Sequence, residues 1–198
     1  MLAGRNTMEE HTPTYTEALL LLKEFNKSDS LIKHAYAVES AMRYIARTMG
    51  EDEEKWGIIG LVHDLDYEIF PDKHCQKSQE ILEDRGWPQE YVRAVISHGW
   101  GICSNAEPQT NLEKVLYTID ELTGLIAAVA LVRPSKSVVD LEAKSVLKKW
   151  KEKDFAAGVN RSIIEKGAIL LGMDLKDLIT YTIMGIRNDS EIWPNRIV

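Results

Sequence analysis

Apolar residues return at three- and four-residue steps along nearly the whole chain, and no alternating run of β-branched residues is long enough to demand a strand. That pattern commits the chain to helices packed on helices. Leu31, Ala35, Val38, Met42 and Ile45 form an apolar stripe within 29–49, which Gly50 stops. Leu112, Val115, Leu116, Ile119, Leu122 and Ile126 form another within 111–131, ended by Pro134. Helices are also predicted over 14–26, behind Thr12-Pro13, and over 51–65, whose opening carboxylates suit the positive end of a helix dipole. Two more span 74–85 and 88–98, parted by Gly86. Ser137, Asn160 and Asp174 read as caps of three further helices, reaching about 150, Gly172 and about 188. Residues 66–73, with Pro71, and 99–110, rich in Gly, Asn, Ser and Pro, read as loops. Without a repeat or a linker, the fold class is all-α, a single helical bundle with a C-terminal helical extension.

Composition then limits what such a bundle can do. At 198 residues with 44% hydrophobic content, the chain can bury a core without disulfides or structural metals. A net charge of −7 argues against a nucleic-acid polymer or an anionic membrane as partner. Cys75 and Cys103 form no CxxC motif, so a disulfide scaffold is not expected and a cytoplasmic location is. The start of the sequence lacks the apolar region of a secretory signal, and the most apolar stretch, 125–132, is too short to cross a bilayer.

The chemistry lies in the histidines and two aspartates. His34 falls in the second predicted helix, His63-Asp64 ends the third, His74 starts the fourth, His98 ends the fifth, and Asp120 lies midway along the long helix. Asp120 adjoins an apolar stripe, where a carboxylate without a partner is costly to bury. His63-Asp64 follows the apolar run IIGLV and makes the same point. Singly, each would read as a hydrogen-bonded core histidine or a helix cap. Together, imidazoles and carboxylates from several helices are a recurrent way to hold a transition metal inside a bundle.

These residues make the chain resemble the HD-domain metal-dependent phosphohydrolases over roughly 30–125. His34 stands in LIKHAYAVESAMRYIA, His63-Asp64 in IIGLVHDLDYE and Asp120 in LYTIDELTG, matching in order the family's histidine, His-Asp pair and later aspartate. The resemblance implies an HD-domain-like bundle with a metal-binding core over 30–132; the helical pattern adds an N-terminal helix over 1–29 and a helical extension of the same domain over 133–198, where no general HD signature is found. It further implies that His34, His63, Asp64 and Asp120 bind one divalent ion. His74 and His98 fall where some subfamilies add ligands for a second ion bridged by the aspartate of the pair. His98 is followed by Gly99 where those subfamilies often place another histidine, and the pair continues as Leu65-Asp66-Tyr67 where many members have Ile-Gly-Lys. One or two ions of Mn, Fe, Co, Ni or Zn are therefore expected.

Water acidified by such ions would attack a phosphate ester, with Asp64 among the ligands and Asp66 available to orient the water or take its proton. Arg133 and Lys136, just past the helix of Asp120, are the expected phosphate-binding cations. The expected substrate is a nucleotide or a small phosphorylated metabolite, with self-association left open. Two alternatives stand beside this reading: a pyrophosphohydrolase of nucleoside polyphosphates, and a non-catalytic sensor that binds a nucleotide.

Overall fold

The computed structural model describes residues 11–192, and the ends of the two flanking segments, with the leader expectation, lie outside them. The described residues hold nine α-helices: α1 (Tyr15–Phe25), α2 (Asp29–Met49), α3 (Glu53–Val62), α4 (Gln76–Asp84), α5 (Gln89–Ser97), α6 (Asn111–Leu131), α7 (Ala143–Trp150), α8 (Arg161–Leu171) and α9 (Leu175–Ile192). A 3₁₀ turn at Pro71–Lys73 separates α3 from α4, and no strand forms among these residues. Among the described residues no helix is long and apolar enough to cross a membrane.

Local chemistry sets most of the boundaries. Thr14 and Glu17 close a capping box on α1, the Glu17 carboxylate accepting from the Thr14 amide at 2.7 Å and the Thr14 hydroxyl from the Glu17 amide. Pro13 therefore precedes the cap and does not sit inside the first turn. Thr110 and Glu113 repeat the device on α6. Asp52 caps α3 by accepting from the amides of Glu54 and Lys55.

Packing then centres on α2 and α6. α2 lies against α3, α6 and α9, and α8 lies along α6. Val138, Leu141, Val146, Ile164, Leu178, Ile179 and Ile183, all from the C-terminal third, belong to the same buried core as Val38, Met42, Ile59, Leu116 and Leu122. At the α2–α9 crossing, a Cβ on Gly185 would meet Ala41 Cα at 2.6 Å and the Ser40 carbonyl at 2.8 Å. A glycine is what lets these two backbones touch.

The helix starts expected at Ser137 and His74 move. The helix read from Ser137 begins at Ala143, because the preceding segment is a closed turn: Arg133 grips both carboxylate oxygens of Asp140 at 3.0 and 2.8 Å, and its backbone carbonyl at 3.0 Å. The Ser137 hydroxyl accepts from the nearby Val139 amide at 3.1 Å and so makes a local turn in place of a cap. The helix read from His74 begins at Gln76, after Cys75 adopts a left-handed backbone with φ 66°.

Candidate metal centre

Helix ends and turns bring six side chains to one point. α2 carries His34 in its second turn, α3 delivers His63 and Asp64 where it stops, and α6 carries Asp120 at mid-length. His74 follows the 3₁₀ turn, and His98 caps the C-terminus of α5. The turn after Asp64 is pinned from outside, since buried Asn26 donates to the Leu65 carbonyl at 3.0 Å.

Two groups form around Asp64. In the first, His34 Nε2 lies 2.9 Å from Asp120 Oδ1 and 3.2 Å from His63 Nε2, which is itself 3.3 Å from the same Asp120 oxygen. Asp64 Oδ2 faces this group, 3.5 Å from His63 Nε2 and 3.7 Å from His34 Nε2. Asp64 Oδ1 faces the second group, 3.4 Å from His74 Nε2 and 3.3 Å from His98 Nε2, and those two nitrogens are 3.1 Å apart.

The hydrogen bonds at the back of each imidazole show why a cation fits. His63 Nδ1 donates to the Gly60 carbonyl at 2.8 Å, and His98 Nδ1 donates to the Val95 carbonyl. His74 Nδ1 donates to Asp66 Oδ1 at 2.7 Å. The Thr123 hydroxyl gives its proton to the Asp120 carbonyl, so it faces His34 Nδ1 at 3.4 Å as an acceptor. Each neutral ring thus keeps its proton on Nδ1 and aims a lone pair from Nε2 inward. Four lone pairs and the oxygens of two carboxylates then face one another with no donor among them. Donors about 3 Å apart are what a shared ion roughly 2.1 Å from each would impose.

The titration behaviour says the same in another way. Burial opposes charge on His63, but the Asp64 and Asp120 carboxylates outweigh it and raise its pKa well above the ordinary value. Burial also opposes charge on His74, and the Asp66 hydrogen bond with the Asp64 charge outweighs it. Burial would raise Asp64 and Asp120, yet their histidine partners hold both below the usual carboxylate range. Without a metal ion, protons must fill the space between these acceptors.

The groups open onto a cleft of about 310 Å³. His34, Asp64, His74, His98 and Asp120 line it, and His63 lies fully buried behind them. Asp66 has a different place from the one expected. It is fully buried, one oxygen holding His74 and the other accepting from the Ser78 amide at 2.8 Å, so it orients His74 and does not line the cleft. Neither Arg133 nor Lys136 lines the cleft; Arg133 spends its guanidinium on Asp140. Sequence reasoning missed Glu121, Tyr67, Ile102, Val159 and Ile163, which do line it. Glu121 follows Asp120 directly, and adjacency was the one signal available for it. Burial raises its pKa, and its carboxylate accepts from the Asn160 amide at 2.9 Å.

Scanned against family models, residues 31–125 match the one described as the HD domain. No curated protein and no solved structure matches the chain.

Proposed function

Because residues 31–125 belong to the HD-domain family, we propose that this chain is a metal-dependent phosphohydrolase acting on a small phosphate monoester. The observation that carries the reading is the division of Asp64, one oxygen toward the His34–His63–Asp120 group and the other toward His74 and His98. Asp64 would bridge two ions, the first held by His34, His63 and Asp120 and the second by His74 and His98. When bound, divalent ions lower the pKa of water toward neutrality and offset charge on phosphoryl oxygens. Mixed nitrogen and oxygen donors admit Mn, Fe, Co, Ni or Zn.

The rest of the cleft favours one phosphate over several. Among the described residues its lining includes no Lys or Arg to balance a second phosphate. Glu121, beside the ligand Asp120, repels further negative charge. Tyr67, Ile102, Val159 and Ile163 offer a largely apolar frame for the esterified part of the substrate. His74, held by Asp66, and His63, held by the Gly60 carbonyl, keep their nitrogens aimed without reorganisation during the reaction.

The test is a panel of phosphate monoesters and nucleoside polyphosphates offered to protein reloaded with Mn²⁺. Hydrolysis of monoesters, abolished by a chelator and in Asp64→Ala, is the expected result. Preference for polyphosphates would favour a pyrophosphohydrolase. Tight nucleotide binding by fully loaded protein with no turnover would favour a sensor.

A further inference from the structure

Beside the candidate metal centre, Cys75 and Cys103 face each other as free thiols. They are separated by 28 positions in sequence, yet their Sγ atoms lie 2.7 Å apart, inside non-bonded contact. Gly99 packs against both sulfurs, where a Cβ would meet Cys103 Sγ at 2.2 Å and Cys75 Sγ at 2.4 Å. Any other residue at 99 would drive the pair apart or displace the loop. The left-handed backbone of Cys75 is rare for a non-glycine residue, and it stands between His74, which lines the cleft, and a buried thiol.

Access to the pair is unequal. Cys75 is buried, while Cys103 is half-buried and lines the cleft. A second cavity of about 290 Å³ is lined by both Cys75 and Cys103, with Gln76, Gln79, Ser104 and Asn105 in its wall and no ligand histidine among its lining residues. A small oxidant or thiol can therefore approach without passing the ligand histidines. His74 and the two sulfurs are also near enough to share an ion. His74, however, commits Nδ1 to Asp66 and aims Nε2 at Asp64 and His98, which leaves the sulfurs without an imidazole.

We propose that Cys75 and Cys103 are a redox-active dithiol, closed to an intramolecular disulfide by hydrogen peroxide and reopened by a dithiol reductant. Cys103, the more accessible, attacks one peroxide oxygen: an S–O bond forms, the O–O bond breaks, and the leaving oxygen departs as water after gaining a proton. Cys75 then attacks the sulfenic sulfur. The S–S bond forms, the S–O bond breaks, and the hydroxyl leaves as a second water with the Cys75 proton. Two thiols lose two electrons in total, and the peroxide gains them.

The experiment uses the full chain and reads mass, independently of any hydrolytic activity. Protein is treated with equimolar hydrogen peroxide, denatured, alkylated with iodoacetamide and weighed intact. Untreated protein should take two alkyl groups. Treated protein should take none and weigh two hydrogens less, and dithiothreitol should restore both sites. In Cys75→Ser, Cys103 lacks a resolving partner and, with peroxide raised to at least two equivalents, should advance to the sulfinic acid, heavier by two oxygens. Two alkylations after peroxide, a disulfide found only between chains, or untreated thiols blocked by a metal that a chelator releases would each overturn the proposal.

Discussion

Asp64 and Asp66 stand two positions apart and do different work, which makes the residue scale the sharpest place to test the centre. Asp64 offers an oxygen to each histidine group, whereas Asp66 holds His74 by its Nδ1 proton. Replacing an outer partner of a metal-binding histidine weakens metal affinity by about 10- to 100-fold. Asp66→Asn should therefore weaken the second ion by that order and leave the first within a few-fold, measured by competition with a fluorescent chelator. Equal loss at both would contradict the assignment. Protons provide a second check. The carboxylates raise His63 and His74, so the metal-free chain keeps these imidazoles protonated to higher pH than free histidine. An incoming ion must displace those protons, and its apparent affinity should fall as pH falls through the raised values. Calorimetry in buffers of different ionisation enthalpy should register the released protons. Affinity that stays flat between about pH 5 and 8 would contradict the ligand set.

At the scale of elements, close backbone contact carries the argument. A methyl group at Gly185 would press on the α2 backbone at Ala41 and Ser40 and on Tyr44 Cβ, and overpacking of this kind typically costs about 1–3 kcal/mol. Gly185→Ala should lower the thermal midpoint by several degrees while metal content per folded chain is unchanged; an unshifted midpoint would mean that α9 slides freely on α2. The segment before α7 gives a second prediction. Since Arg133 clasps Asp140 and stands apart from the cleft lining, Arg133→Ala should leave KM for a monoester unchanged, and a clear rise would return Arg133 to phosphate binding. The sequence made the stripes of α2 and α6 legible because apolar period and caps are local signals. It also placed His34 and Asp120 within α2 and α6 and His63-Asp64 and His98 at the ends of α3 and α5, while His74 stands ahead of the helix it was expected to start. What it could not supply was orientation: a carboxylate at 66 reads the same whether it meets solvent or His74. The Ser137 start failed because a side-chain clasp across seven positions outweighed a local cap.

Across the whole molecule, the family match stops at residue 125, but the folded unit and the cleft do not. Val159 and Ile163 close one side of the cleft, and α8 and α9 share the core of α2 and α6. The C-terminal third thus supplies part of the wall of a cleft whose candidate metal ligands all come from earlier in the chain. The central claim is that this centre is dinuclear and pivots on Asp64, and anomalous scattering from crystals of Mn²⁺-loaded protein tests it most directly. Two peaks per chain about 3.5–4 Å apart, with Asp64 between them and His74 and His98 on the second, are the expected result. A single peak with His74 and His98 turned away would contradict it.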